Sequence, residues 1–328
     1  MKFTPVKKDD FTVPTKDFPE WDGQPYFPIS RYYKNRFGEK VYKITVSAAQ
    51  TCPNREKNKG VGCIFCDELG SAGSHLINHH PLEEQIIINR EKLHKRFRVN
   101  KFLVYFQPFT NTYRRLEQFR ADVGLALSKD RVVGVAFGTR PDCLPDEIYP
   151  YLKEICNSHY VSVELGVQSF LNRQLEFLNR GHTAEESIEV ILKLHQEAGI
   201  NIGLHLIFGL PDEQDEDIIN AAKKTNELPV DNVKLHNLHV LANTPLHDLY
   251  KEKKFTPIEL DEYTRRVILF LSHLSPDIAV QRLAAVAPRW DELVAPEWTK
   301  HRLKPTQFII KRLKEQELFQ GKALAETT

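Results

Sequence analysis

Runs of β-branched and aromatic residues recur along the chain at residues 43–46, 102–106, 132–137, 160–165, 201–208, 232–240 and 278–283, each the length of a strand. Most of the intervals between them hold helix-length amphipathic stretches. The clearest begins at Thr183, where Thr183 and Glu186 make a Thr-x-x-Glu capping box, and stops at Gly199. Its apolar positions, Ile188, Ile191, Leu192 and Ala198, are predicted to share the buried face. The next helix opens on Asp215, Glu216 and Asp217 and closes on Lys223 and Lys224, the charge order that the helix dipole favours.

Strand–helix units repeated about six times predict parallel strands joined by right-handed crossovers, as a β/α barrel or an open doubly wound sheet. The expected fold class is α/β, a partial (β/α)6-type TIM-like barrel of parallel strands with a C-terminal helical and strand extension. The expected divisions are an N-terminal arm over residues 1–30, the barrel over 31–245 and the extension over 246–328. Such folds place their chemistry at the C-terminal ends of the strands, so each strand should hand over to polar or Gly-rich residues. Residues 47–52 follow the first strand, 107–112 the second, and Gly138-Thr139-Arg140-Pro141-Asp142 the third. The fourth runs through Glu164 into Gly166-Val167-Gln168-Ser169, the fifth into Gly209-Leu210-Pro211-Asp212, and the sixth carries His236 and His239.

Composition narrows the class. Of 328 residues, 41% are hydrophobic and 27% charged, which suits a folded core and excludes a disordered chain. Lys plus Arg (45) nearly balance Asp plus Glu (44), so a nucleic acid or an acidic lipid must be held by a local patch. The N-terminal segment has no apolar run of signal-peptide type, and no stretch approaches the roughly 18 apolar residues of a membrane span. The expectation is a cytoplasmic protein with no membrane partner. Five cysteines, three of them within residues 52–66, do not form the even-numbered framework of a small disulfide-bonded domain.

That window reads Cys52-Pro53-Asn54-Arg55-Glu56-Lys57-Asn58-Lys59-Gly60-Val61-Gly62-Cys63-Ile64-Phe65-Cys66. Three thiolates on an iron–sulfur cubane leave one iron free of protein ligands, able to bind a substrate or cofactor. Gly60 and Gly62 would let the loop close tightly, and Phe65 would shield one side. A structural zinc site is the alternative, with Cys52, Cys63 and Cys66 joined by His75, His79 or His80. A loop following the first barrel strand suits a catalytic centre better than a peripheral zinc knuckle. Cys143 and Cys156 are expected to be ordinary buried thiols.

At this point the residues resemble a family, the radical S-adenosylmethionine (SAM) enzymes. The likeness is strongest to the YhcC/YtqA-like branch, related to the Elongator catalytic subunit and oxygen-independent coproporphyrinogen oxidase. It spans residues 30–322 and is carried by 51–66, by Tyr105-Phe106-Gln107-Pro108-Phe109-Thr110-Asn111-Thr112-Tyr113, and by 138–143 and 164–169. Further matches are Arg180-Gly181-His182-Thr183, Phe208-Gly209-Leu210-Pro211, Ala287-Pro288-Arg289, Ala295-Pro296-Glu297-Trp298 and Phe319-Gln320-Gly321-Lys322.

The resemblance implies a [4Fe–4S] cluster on Cys52, Cys63 and Cys66, with SAM on the fourth iron. Reductive cleavage of SAM would then yield a 5′-deoxyadenosyl radical that abstracts a substrate hydrogen. It maps SAM contacts onto Gln168 for the ribose and Arg180 for the carboxylate, with Glu164 and Arg140 on the same rim. Structural alternatives are a helix-end role for Arg180 and pairing of Arg140 with Asp142 or Asp146. The sequence departs from the family in four ways. Ten residues separate the first two cysteines. Gln107 and the residues to Thr112 replace the Gly-Gly-Glu of many relatives. His205 stands where the coproporphyrinogen branch carries an acid, which bears on ribose recognition. No acetyltransferase domain follows the barrel.

The YtqA-like branch implies a tRNA wobble-uridine substrate, with a carboxymethylaminomethyl group trimmed to aminomethyl. An electron donor such as flavodoxin or ferredoxin is implied as a partner. Candidate phosphate contacts are Arg31, Lys34, Arg36, Lys40 and Lys43, then Arg55, Lys57 and Lys59, residues 90–101 and 300–304, and Lys311, Arg312 and Lys314. Candidates to stack a flipped base are Tyr32, Tyr33, Tyr105 and Tyr113. Radical chemistry on a small molecule such as a tetrapyrrole, and a zinc-stapled RNA-binding module, are the competing readings.

Overall fold

The computed structural model of the protein describes residues 18–49, 51–57, 62–70 and 80–325. Gly60, Lys59, His75, His79 and most of the N-terminal arm lie outside them.

Seven parallel strands form one curled sheet in sequence order: β1 (Val41–Val46), β2 (Lys101–Phe106), β3 (Val132–Thr139), β4 (Tyr160–Gln168), β5 (Asn201–Phe208), β6 (Asn232–Asn237) and β8 (Ala279–Arg282). The expected six-fold unit is therefore extended by a seventh strand. β8 comes from the segment expected as an extension, so the sheet runs across the division expected at residue 245. The run expected over 232–240 breaks after Asn237. Its end becomes β7 (Val240–Leu241), which pairs antiparallel with β9 (Leu293–Ala295) outside the sheet.

The period-two alternation of the strands separates two environments. One face carries Ile44, Val104, Phe106, Phe137, Val163, Leu204 and Val233, all buried against the outer helices. Phe119, on the helix Leu116–Leu127, packs on Phe137 at 4.9 Å, and Phe270, on Leu260–His273, packs on Phe208 at 5.2 Å. Burying each such ring contributes about 2–3 kcal/mol. The opposite face carries Lys43, Tyr105, Glu164, His205, Lys234 and His236, and faces the barrel interior.

Between β4 and β5 the helix Ala184–Lys193 starts at its capping box, with Thr183 Oγ1 accepting from Glu186 N at 3.2 Å and the Glu186 carboxylate accepting from Thr183 N at 2.7 Å. It runs into a π-helical turn, Leu194–Ala198, that ends on left-handed Gly199. Ile191 and Ala198 are buried as expected, but Leu192 is 40% exposed. Leu194, three residues on from Ile191 and so on the same face, is fully buried instead.

Both ends of the described chain seal the β8 edge. Val280 N donates to Phe27 O at 2.7 Å, and Pro28, which has no N–H, stops further pairing there. Gln320 holds the arm in place, its Oε1 accepting from Phe27 N at 2.9 Å and its Nε2 donating to Ile278 O at 2.8 Å.

Candidate active site

The strand ends open into one cavity of about 970 Å³, lined among others by Cys52, Cys63 and Cys66. Cys52 precedes a short helix, Pro53–Lys57, and the Cys63–Cys66 turn closes by Cys66 N donating to Cys63 O at 3.0 Å. Elements from elsewhere in the chain fix this turn. Ile64 N donates to Leu178 O at 3.1 Å, Leu246 N donates to Ile64 O at 2.9 Å, and Asn179 Nδ2 donates to Gly62 O at 2.8 Å. Ile64 and Phe65 pack on an apolar cluster that includes Leu178, Ile207, Leu238 and Phe255. Arg289 forms a buried ion pair with Asp67 just beyond the last cysteine.

The electrostatics favour thiolates. Cys63 is buried, and its thiol is held well below the ordinary value by a hydrogen bond from Cys66 and by the Arg180 and Arg140 charges, against the opposing effect of burial. Arg180 Nη1 lies 3.1 Å from the Cys63 sulfur, and Asn54 Nδ2 lies 3.5 Å from it. Neither Cys143 nor Cys156 lines this cavity. Burial pushes the Cys143 thiol up to about 12, and Cys156 sits on an outer helix with its thiol donating to Gly199 O at 3.8 Å.

The other residues expected at the site all line the same cavity: Gln107, Arg140, Glu164, Gln168, Arg180 and His205. A register shift between Leu165 and Gln168 at the β4–β5 pairing, with Gln168 at φ 68°, turns the end of β4 toward the cavity. Arg140 pairs with Asp142 at 2.8 Å rather than with Asp146, which bonds to Lys193. It also donates to Arg180 O at 2.5 Å, and its Nη1 is buried without a hydrogen-bond partner. Arg180 donates to Gly166 O at 2.7 Å. Gly166 leaves room for both neighbours, because a Cβ there would lie 2.8 Å from Gln168 Nε2 and 3.1 Å from Arg180 Nη2.

Glu164 lies at the centre of an ionic group deeper in the barrel. It is fully buried, bonds to Lys43 on one oxygen, and accepts on the other from His205 at 2.9 Å and Lys234 at 3.3 Å. Burial alone would raise its carboxyl, but Lys43 and Lys234 hold it well below the usual value. Burial lowers His205 to about 4, which keeps it neutral. Lys43 also donates to Gln281 at 2.7 Å and lies over the Tyr105 ring.

Several expected nucleic-acid contacts are placed elsewhere. Lys43 is an interior ion-pair partner, not a surface cation. Tyr32 and Tyr33 pack with Phe37, Val41, Leu103 and Tyr160 around the starts of the strands, at the opposite end from the cysteines. Arg31 and Lys101 are tied to Asp22 and Glu39. Tyr105 lines the cavity and Tyr113 is exposed, donating to Glu56 at 3.1 Å. Sequence reasoning missed Lys234 and Arg282, which line the cavity interior, and Trp290, which lines it while 51% exposed with Arg302 stacked over its ring. A signal was available for Lys234, which alternates with Val233 and Leu235 and so shares the face of His236.

Comparison with known proteins defines the class. Residues 47–225 match the radical SAM superfamily model and residues 230–315 match the Radical_SAM C-terminal domain. The chain belongs to the radical SAM superfamily, and it is a radical SAM enzyme that uses a [4Fe–4S] cluster and SAM. Within the superfamily it falls in the YhcC/YtqA-like branch, being 32% identical to the uncharacterized protein YtqA of Bacillus subtilis over 90% of this chain and 92% of that protein. It is also 32% identical to a tRNA uridine(34) acetyltransferase of Methanocaldococcus jannaschii, over 41% of this chain and 25% of that protein. The Methanocaldococcus infernus Elp3 structure shares the fold, with a TM-score of 0.63 at 19% identity over 85% of this chain and 64% of that one. Among the described residues no helix is long and apolar enough to cross a membrane.

Proposed function

We propose that Cys52, Cys63 and Cys66 hold the [4Fe–4S] cluster and that the enzyme acts on a modified tRNA wobble uridine, converting carboxymethylaminomethyl-uridine to aminomethyl-uridine. The observation that carries this reading is a single cavity joining the three thiols to a buried ionic group, with an exposed tryptophan among its lining residues. The donor set fits a cluster: three cysteines on one wall, one thiol already favoured as thiolate, and arginine donors beside it. A lone zinc ion fits less well. Of the three histidines that could complete a zinc site, His80 lies within the described residues, and it is turned to Glu84 at 2.9 Å.

When bound, the reduced cluster and SAM supply hydrogen-atom abstraction from an unactivated C–H bond. This chain's residues set the conditions for it. Arg180 steadies the Cys63 thiolate, the apolar packing behind Ile64 and Phe65 excludes water from one side, and Gln168, Arg140 and Arg180 present polar groups to the cofactor. Trp290 with Arg302 offers a flat, cationic platform for a base drawn out of an RNA loop. The M. jannaschii relative named for uridine 34 of tRNA supports the choice of nucleic acid, and a flavodoxin or ferredoxin would supply the electron.

Anaerobic purification with iron, sulfide and zinc analysis and a SAM-cleavage assay, comparing wild type with Cys63→Ala, tests the cluster assignment. Four irons and sulfides with 5′-deoxyadenosine formed by wild type alone are expected; one zinc without sulfide overturns it. For the substrate, tRNA binding should weaken steeply with salt and fall in Trp290→Ala. Salt-independent binding of a tetrapyrrole in place of tRNA would refute the wobble-uridine reading.

A further inference from the structure

The inner end of the cavity carries more positive charge than its own acids neutralise. Lys234 on β6 and Arg282 on β8 both line it. Glu164 is the acid bonded to this group, and it is already engaged by Lys43 on one oxygen and by His205 and Lys234 on the other. Asp291, which also lines the cavity, is exposed to solvent. Neither neighbouring histidine adds charge of either sign, since burial first and the nearby cations second keep His205 and His236 neutral.

Arg282 is the least satisfied of the three cations. Its Nη2 reaches the His236 ring nitrogen at 2.7 Å, while its Nε is buried without any hydrogen-bond partner. A buried guanidinium edge left without an acceptor is costly. Lys234 is bonded to Glu164 and to the Tyr105 hydroxyl at 3.2 Å, yet burial, then Arg282 and Lys43, push its ammonium down to about 8 despite Glu164. Cations perturbed in this way cluster at functional sites.

We propose that Lys234 and Arg282 form the receptor for a carboxylate carried by the substrate, which anchors the reacting group inside the barrel. The inference rests on the substrate reading above and deepens it, because a carboxymethylaminomethyl group ends in such a carboxylate. One unpaired guanidinium N–H beside one ammonium offers a donor to each of the two oxygens of a single carboxylate. The amino-acid end of the cofactor is the other source of a carboxylate, and the experiment separates the two.

The test uses the cluster-reconstituted protein, its Arg282→Gln and Lys234→Met variants, and four probes by calorimetry: 5-carboxymethylaminomethyluridine, 5-aminomethyluridine, N-butylglycine and S-adenosylhomocysteine. Wild type should bind the carboxylate nucleoside about 10- to 100-fold more tightly than the amine. Arg282→Gln should abolish that preference and leave S-adenosylhomocysteine affinity unchanged. Loss of S-adenosylhomocysteine binding with the nucleoside preference intact would assign the site to the cofactor and overturn the proposal, as would equal binding of both nucleosides by wild type. If neither nucleoside binds but N-butylglycine binds wild type and not Arg282→Gln, the receptor stands and the wobble-uridine reading falls. Failure of both carboxylate probes to bind wild type removes the receptor.

Discussion

Replacing Glu164 by Gln removes the one negative charge shared by Lys43, Lys234 and His205 while keeping the side chain's size. Breaking a buried ion pair on one side typically costs about 3–5 kcal/mol. Here the lower end applies, because the cavity leaves Lys43 and Lys234 side chains 17% and 14% exposed, so water partly compensates them. A loss of about 3 kcal/mol, at about 1.5 °C per kcal/mol for a chain of 328 residues, lowers Tm by about 4–5 °C. The assay is thermal and urea denaturation of Glu164→Gln, Lys43→Met and the double variant. The double variant should recover at least about 1.5 kcal/mol relative to the sum of the singles, since it leaves no unpaired charge between these two positions. The pH dependence has a fixed sign. The folded carboxyl lies well below its ordinary value of 4.5, so its contribution is complete above pH 4.5 and is lost as pH falls toward the folded value. Glu164→Gln should lack that acid-side loss. Single-variant effects that add within about 0.5 kcal/mol, or an unchanged acid limb, would refute the shared-charge reasoning.

Asp231 gives the opposite sign. Burial pushes its carboxyl up to about 6 although it accepts from Ile202 N at 2.7 Å, so the protein should lose about 3 kcal/mol as pH rises from 3.8 to 6, and Asp231→Asn should flatten that slope in Tm measured against pH. Thr183→Ala breaks the capping box and should cost about 1 kcal/mol in urea denaturation without altering SAM cleavage. Gly166→Ala places a methyl against Gln168 and Arg180, so a folded protein with about tenfold weaker S-adenosylhomocysteine binding is expected by calorimetry, and unchanged affinity would separate these residues from the cofactor.

The sheet was legible because each strand announces itself by β-branched and aromatic residues and ends in polar ones. The cysteine loop was legible because three thiols in one window have few other uses. Orientation was harder to read. Lys43 looks like one more cation in a basic stretch, and only the alternation Lys43, Thr45 against Ile44, Val46 shows that its face is the barrel interior. Lys234 carries the same cue, but Arg282 does not, since it follows directly on Gln281, which also reaches the interior at Lys43, and β8, with only four residues after a long helical segment, joins the sheet by pairing with β6. Tyr32 and Tyr33 were misplaced because an aromatic side chain packs a core and stacks a base with equal ease, and only position along the strand axis decides.

The latch between Gln320 and Phe27 sets an order of events during synthesis. Residues of β1 to β6 and the cysteine turn leave the ribosome well before β8, and the glutamine that fastens Phe27 beside β8 follows about 40 residues after that strand. At about 5–20 residues per second, the interval between β6 and Gln320 lasts on the order of 4–16 s. For that time the barrel is a trough with one side unsealed, and its thiols are reachable laterally as well as through the mouth. Closure then comes when the segment carrying Gln320 meets the segment carrying Phe27, so the last stave is locked only after Gln320 itself has been made.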